Sequence, residues 1–314
     1  MIGCILRGKN MAEHQFRIQG DGGELVSYLY SNYSAFVGKG LISICPNYQY
    51  PSHWHDDLEI GVVVNGEMQY NVNGEIETIR EGEAFFINSR QLHSNYSENR
   101  TECEYICILL HPLLLCVNPV FEREFVAPLL GNEQVPYVKI TNEIPWQKEI
   151  LEEILAIYAE RNDSVAPLLI QAHLYKIWAG LFKHVSRGEY NGQHRANRGN
   201  LSIIKNMVGY IQEHYQEKIS LAEIAASGAV GQSKCCKLFK NYMNVTPNAY
   251  LNQFRLNKSR ELLHDTELSI TEIAEAVGFG GASYYAESFH KYYGESPSEY
   301  RDNVKSCVEA EKDS

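Results

Sequence analysis

Apolar and polar positions repeat with different periods along the chain. From Leu58 onward, LEIGVVV, NGEMQYNVNGEIETI, GEAFFIN and CEYICILL are short runs rich in Val, Ile, Tyr and Phe. Asn65-Gly66, Asn73-Gly74 and Glu81-Gly82 punctuate them, and these dipeptides favour tight hairpins. Several short strands with no helical pattern between them predict an antiparallel sandwich or barrel. Upstream, Glu24 to Pro46 alternates weakly (Leu25, Val26, Tyr28, Phe36, Leu41, Ile42, Ile44) and predicts short strands, while residues 1–20 have no period. Leu113 to Val138 is broken by prolines and reads as irregular. The period then becomes helical. Pro145 to Arg161 (Trp146, Ile150, Leu151, Ile154, Leu155, Tyr158) and Ala166 to Arg187 (Leu168, Leu169, Ala172, Leu174, Tyr175, Trp178, Leu181, Phe182) predict two helices. Their apolar faces are broader than the flank of a barrel alone needs.

The last third says nearly the same thing twice. ISLAEIAASGAVGQSKCCKLFKNYMNVTPNAY is echoed by SITEIAEAVGFGGASYYAESFHKYYGESPSEY. Ser220, Glu223 and Ala225 match Ser269, Glu272 and Ala274 at an offset of 49, and Phe239, Pro247 and Tyr250 match Phe289, Pro297 and Tyr300 at 50. Each copy opens with a Ser-x-x-Glu capping box and an apolar face at helical spacing. A glycine-bearing break follows, Ser227-Gly228-Ala229 or Val277-Gly278-Phe279, where the chain can turn sharply. A second helix then ends at Asn244 or Gly294, residue types that tolerate a left-handed stop. Two helices and a tight turn in duplicate predict a pair of helix-turn-helix units. Pro247 to His264 between them is one long helical pattern, a strut of roughly 27 Å at about 1.5 Å per residue. It could hold two reading helices near the roughly 34 Å repeat of a DNA duplex.

Residues 187–200, RGEYNGQHRANRGN, are polar and glycine-bearing and mark a linker. With 314 residues the chain has room for two domains. A net charge of −11 is unusual for a nucleic-acid binder, and residues 201–301 hold ten Lys/Arg against eleven Asp/Glu. Diffuse attraction to phosphate is therefore weak, and contacts at defined base edges must carry recognition. Eight cysteines without a C-x-x-C pair fit reduced thiols in a cytoplasmic protein. Lys234 and Lys237 flank Cys235-Cys236 and could activate a thiol as a redox switch; small buried side chains explain the pair better. No apolar run is long enough for a membrane span, and MIGCILRGKN lacks a signal-peptide core.

The residues LAEIA, LFKNY, Arg255 through Leu263, SITEIAEAVGF and YYGESPSEYR resemble the DNA-binding domain of the AraC/XylS family of transcription regulators. The resemblance implies readers in successive major grooves: Gln232, Ser233, Lys234, Cys236 and Lys237, with Lys240 towards phosphate, then Ala282, Ser283, Tyr284, Ala286 and Glu287. Three positions depart from the family pattern. Gly231 replaces a serine N-cap, Cys235 a larger apolar residue, and Glu287 and His290 stand where basic residues are usual. A second reader so equipped should contribute less affinity than the first.

A second resemblance lies upstream. His53-Trp54-His55, Glu59 and Gly66 fit the first cupin motif, H-x-H-x3-E-x6-G. Gly82 to His93 resembles the second, with Asn88-Ser89-Arg90 in place of a proline and glycine. This implies the sensor barrel of AraC-type regulators, with an effector pocket drawn from His53, His55, Glu59, Tyr70, His93 and Tyr105. Tyr48, Tyr50, Tyr96, Arg90, Gln91 and Asn95 are further candidates for its wall, which suits a polar ring such as a sugar. Three imidazoles and a carboxylate also form a possible metal set. The reading taken is a pocket with no cofactor, His53, His55, Glu59 and His93 being the alternative metal ligands.

The expected fold class is α+β in two domains. Residues 1–20 are an extension, 21–140 a cupin-like antiparallel β-barrel, 141–186 a helical bridge, 187–200 a linker, 201–301 an all-α double helix-turn-helix domain and 302–314 a tail. The expected function is a DNA-binding transcription regulator, not an enzyme, controlled by a small-molecule effector. Its expected partners are double-stranded DNA, the effector, a second copy through the bridging helices and RNA polymerase, with no membrane. The alternative is a metal-dependent cupin enzyme whose DNA-binding half is secondary.

Overall fold

The computed structural model describes residues 2–3, 15–16, 23–24, 26–28, 33–185 and 198–303. The linker expected at 187–200 falls outside the described residues except for its last three, as do most of the 1–20 extension and the tail beyond 303. The described residues form two compact units, one running to Leu201 and the other from Ser202, with Ile2 grouped with the second.

β1 (Ile2–Gly3) and β2 (Gln15–Phe16) form a two-stranded ribbon. Eight further strands follow: β3 (Ala35–Leu41), β4 (Leu58–Asn65), β5 (Glu67–Val72), β6 (Glu75–Arg80), β7 (Ala84–Ile87), β8 (His93–Tyr96), β9 (Glu104–Leu110) and β10 (Tyr137–Ile140). They make a five-stranded sheet of order β10-β7-β4-β9-β3 and a three-stranded sheet of order β6-β5-β8, with antiparallel pairing throughout. The expected barrel is thus, among the described residues, two sheets around a shared core rather than one closed ring. Met68, Tyr70, Val72 and Ile79 of the smaller sheet meet Val63, Phe85, Ile87 and Tyr105 of the larger. The hairpin at Asn73-Gly74 has both residues at positive φ (53° and 89°), the backbone that a two-residue turn requires.

β4 shows why LEIGVVV is continuously apolar. Leu58, Ile60 and Val62 face away from the smaller sheet and are fully buried under helices, while Glu59 and Val63 face inward. A strand covered on both faces needs no polar alternation. The cover comes from α3 (Pro145–Glu160) and α4 (Ala166–Val185), whose Ile150, Ile154, Ile157, Ile170, Ile177, Trp178 and Leu181 join that core. Fully burying each such side chain stabilises by roughly 1.5–3 kcal/mol. Most of the broad apolar face of these helices is therefore used within the chain, and Leu155 and Leu168 remain exposed. The stretch Leu113–Val138 is more ordered than its prolines suggest. It holds α1 (Pro119–Phe121), α2 (Ala127–Leu130), 3-10 and π turns, and the start of β10, which completes the sheet edge.

The second unit is helical: α5 (Arg198–His214), α6 (Leu221–Ser227), α7 (Gln232–Met243), α8 (Pro247–Asp265), α9 (Ile270–Ala276), α10 (Ala282–Tyr293) and a last helical stretch, 297–303. Both capping boxes form, Ser220 with Glu223 and Ser269 with Glu272. Asn244 (φ 57°) and Gly294 (φ 82°) make the left-handed stops. Of the two glycine-bearing breaks, only the first differs from expectation. In the first copy the left-handed residue is Ala229 (φ 52°), not Gly228, and its counterpart at the 49-residue offset is Gly278 (φ 84°). Gly228 is instead needed for close approach, because a Cβ there would lie 2.7 Å from Met207 Cγ.

α8 is about 28 Å long, from its 19 residues at about 1.5 Å each. Its buried positions go round the helix because both copies pack against it. Tyr250 and Phe254 meet Phe239 and Tyr215. Leu256 and Leu263 join Ile273, Phe279, Tyr285 and Phe289. Arg255 donates to the carbonyls of Tyr215 and Glu217 (both 2.7 Å), capping the end of α5. The Gly278 turn abuts the first of these carbonyls and the one between them: a Cβ on it would sit 2.5 Å from Tyr215 O and 2.7 Å from Gln216 O.

Candidate functional site

Backbone pairing assembles the histidine set in the first unit. His53 and His93 exchange N–H···O bonds (3.0 and 2.9 Å) across an isolated bridge, so their side chains rise on one face. His55 follows two residues after His53, and Glu59 reaches in from β4. One ligand atom of each of His53, His55, Glu59 and His93 lies within 4.8 Å of the others, and all four residues are buried. Each imidazole donates Nδ1–H to a backbone carbonyl, because a carbonyl can only accept: His53 to Pro51 (2.9 Å), His55 to Asp57 (3.0 Å) and His93 to Gln91 (2.9 Å). All three Nε2 atoms are thereby turned towards the centre.

Glu59 Oε2 lies 2.6 Å from His93 Nε2 and 3.4 Å from His55 Nε2. Tyr70 donates its hydroxyl to Glu59 Oε1. Burial pushes the Glu59 carboxyl up, but the adjacent imidazoles outweigh it and hold the group well below the usual carboxylate range. Burial, reinforced by His93 and His55, pushes the His53 imidazole down. A second carboxylate, Glu24, comes from outside the motif. Its side chain is fully buried, its N–H donates to Trp54 O (2.6 Å), and its Oε2 lies 3.2 Å from His53 Nε2. Burial, then the charges of Glu59 and Asp57, push it well above the usual range.

The set forms one wall of a cavity of about 80 Å³. His53, His55, Glu59, Tyr70, Tyr105, Tyr50 and Asn95 line it as the sequence suggested, and His93 stands behind Glu59. Phe36, Cys45, Cys107 and Leu109 also line it and carry no motif signal. Arg90 and Gln91 do not belong to the wall. Arg90 takes the left-handed conformation (φ 62°) where the motif has glycine, and its exposed guanidinium pairs with Asp56 at 2.6 Å. Gln91 bonds Asn73 and Ser89. Tyr48 and Tyr96 likewise stand outside the cavity lining.

In the second unit, Gln232, Ser233, Lys234 and Lys237 of α7 are exposed, Cys236 is half-buried, and Cys235, Leu238 and Phe239 face the core. On α10, Ser283, Tyr284 and Glu287 are exposed, Ala282 and Ala286 half-buried, and Tyr285 and Phe289 fully buried. Each helix thus presents one row outward and packs the other. Lys240 is turned back on its own helix, donating to Asn244 O and Oδ1 (3.3 and 3.1 Å). Tyr284 Oη accepts from Asn252 Nδ2 (3.1 Å) on α8. Gly231 provides no side-chain cap to α7. Burial, then Cys236, pushes the Cys235 thiol up to about 11, opposite to the activation a redox switch needs. No helix among the described residues is long and apolar enough to cross a membrane.

Comparison with known proteins assigns both units. Residues 40–178 match the model of the AraC-like ligand binding domain, and residues 224–303 a helix-turn-helix domain model. An uncharacterized HTH-type transcriptional regulator of Bacillus subtilis (strain 168), YdeC, is 29% identical over 253 residues, covering 80% of this chain and 86% of its own. The melibiose operon regulatory protein of Escherichia coli (strain K12) is 24% identical over 279 residues, covering 86% and 90%. A crystal structure of ToxT from Vibrio cholerae O395 aligns over 86% of this chain and 98% of its own, at 15% identity and a TM-score of 0.42. A ligand-binding unit joined to two helix-turn-helix modules, matched by both family models and by relatives along most of its length, makes this chain a member of the AraC family of effector-controlled, DNA-binding transcription regulators.

Proposed function

We propose that the outward rows of α7 and α10 read successive major grooves, with Gln232, Ser233, Lys234, Cys236 and Lys237 in the first and Ala282, Ser283, Tyr284, Ala286 and Glu287 in the second. The observation that carries this is the division of both helices into a buried apolar row and an exposed polar one, on two modules packed against one strut. The first row brings two lysines and two hydrogen-bonding side chains. The second brings a tyrosine, a serine and a carboxylate. Binding strength is concentrated in the first and selectivity shared. Lys240, held by its helix end, is a weaker phosphate contact than its position suggests.

The cavity beside Tyr50, Tyr70, Tyr105 and Asn95 receives a small polar effector, with a carbohydrate as the leading class. Aromatic faces and hydrogen-bonding groups suit a sugar ring, and one relative is named for the melibiose operon. The chain is not an enzyme. It works in the cytoplasm as a homodimer through α3 and α4, where Leu155 and Leu168 stand exposed, and acts on transcription with RNA polymerase.

Effector and DNA binding are coupled free energies, so each must change the affinity for the other by the same factor. The test is footprinting on the promoter region with the full chain, alongside a thermal-shift screen of sugars and related metabolites. A sugar that raises the melting midpoint and alters the footprint supports the reading. A footprint insensitive to every metabolite that binds the protein would sink it.

A further inference from the structure

Tyr284 is the third residue of α10 and 54% exposed, yet its ring is held at both ends. At its base it packs against Phe279 in the turn before the helix, with ring centroids 5.7 Å apart and planes at 60°. Phe279 is itself part of the buried core of the second module, with the Arg255 guanidinium 6.0 Å from its ring. The far end is held from a different element: Asn252 Nδ2 on the strut α8 donates to Tyr284 Oη at 3.1 Å. The two partners are 32 residues apart in sequence, so the bond depends on the strut packing beside the second module. A tyrosine that merely covers surface has no need of a fixed hydroxyl, because water satisfies it.

A phenol has an O–H to donate and an oxygen that accepts. The Asn252 amide takes up the accepting side, so the group Tyr284 still offers outward is its O–H. In a major groove that difference is information. Guanine presents O6 and N7 and thymine O4, all acceptors, whereas cytosine presents the N4 amino donor. A phenol free to turn can suit either kind of edge, and one whose oxygen is already engaged suits acceptors. Fixing the ring beforehand also reduces the ordering entropy lost on binding. The first copy shows the same polarity by another route. At the 50-residue offset Tyr284 corresponds to Lys234, which is exposed and whose ammonium can only donate. Both reading helices therefore present a donor at the same place, one by its chemistry and the other through the hold of Asn252.

We propose that Asn252 is a positioning residue for base readout: by donating to Tyr284 it fixes the phenol as a hydrogen-bond donor, so that α10 selects guanine or thymine over cytosine at one base position. This rests on the reading of α10 as a groove-binding helix and gives that helix a defined preference. Asn252 acts through Tyr284 and lies on the strut, outside both reading helices.

The full chain is used to select its binding site from randomised duplex DNA, and the selected site is then varied one base pair at a time. The half-site whose preferences change in Gln232→Ala belongs to α7, and the other to α10. In the α10 half, wild type should prefer guanine or thymine over cytosine at one position by about 3- to 10-fold, the worth of one neutral hydrogen bond. Tyr284→Phe should lose that preference and keep the others. Asn252→Ala should admit cytosine there and narrow the ratio to about 2-fold or less. Asn252→Asp is the decisive variant. A carboxylate can only accept, so it takes the Tyr284 O–H, leaves the phenol oxygen to accept from cytosine N4, and should invert the preference. Ratios between sequences are compared because the added charge weakens every site alike. Unchanged preferences in the α7 half show that each variant is folded. Asn252 variants that lower the melting midpoint or the overall affinity but keep every wild-type base ratio overturn the proposal, since a purely structural bond would do no more. A uniform loss across sequences in Tyr284→Phe makes the hydroxyl a phosphate contact and overturns it too. If the α10 half shows no base preference at all, the groove reading of that helix falls with it; if that half is read but is indifferent to Asn252, this inference alone falls.

Discussion

The two helix-turn-helix copies share their packing and differ in almost everything they show to solvent. Ser220 and Ser269 cap the same way, Phe239 and Phe289 fill the same place, and Asn244 and Gly294 stop the second helix in the same left-handed conformation. The exposed rows share only one residue type: Gln232, Ser233, Lys234 and Lys237 in the first against Ser283, Tyr284 and Glu287 in the second. Duplication preserved what the fold needs and left the rows free to specialise. The copies also distribute backbone strain differently, since an alanine holds the left-handed turn of one and a glycine that of the other.

The largest effect should come from that turn. Gly278→Ala places a Cβ 2.5 Å from Tyr215 O and 2.7 Å from Gln216 O at a positive φ, and should cost about 2–4 kcal/mol. Gly228→Ala meets mainly the flexible Met207 side chain and should cost less, about 1–2 kcal/mol. Urea unfolding compares the two directly; equal losses would mean that the turns are equivalent after all. Next comes DNA affinity. Lys237→Ala should weaken binding several-fold and lower the salt slope by about 1, whereas Glu287→Ala should leave affinity unchanged or improve it. Equal losses across a salt titration would contradict the division of labour between the rows.

Ala229→Gly should act in the stabilising direction, by up to about 1 kcal/mol, because it relieves a left-handed L-residue while adding some chain entropy in the unfolded state. A lower thermal midpoint would show that the turn is not strained. The smallest effect is expected from Gly231→Ser, which supplies the side-chain cap that α7 lacks and should add a few tenths of a kcal/mol. Because this changes the start of the first reading helix, the footprint should be checked with the melting curve.

Much of this was legible in the chain itself, for reasons that explain the misses. Local rules act within a few residues, so the capping boxes, the Asn73-Gly74 hairpin, the stops at Asn244 and Gly294 and the strut from Pro247 could all be read directly. His53, His55 and Glu59 were readable as a motif because one short stretch holds them, and His93 because the second motif ends on it. Glu24 was not, since the Gly23–Trp54 bridge, and not a local sequence pattern, brings it to the cluster. Arg90 and Gln91 were drawn into the pocket by closeness in sequence to His93, but the left-handed turn at Arg90 sends its side chain to Asp56. Gly228 was read as the turn residue because glycine serves two purposes, dihedral freedom and close approach, and composition cannot tell them apart.

The guanidinium of Arg255 holds the carbonyls of Tyr215 and Glu217 while the Gly278 turn lies close against those of Tyr215 and Gln216. A single turn of backbone is therefore the abutment for the strut and the second module. Fraying it would release the two together, so their amides should exchange with solvent as one cooperative block.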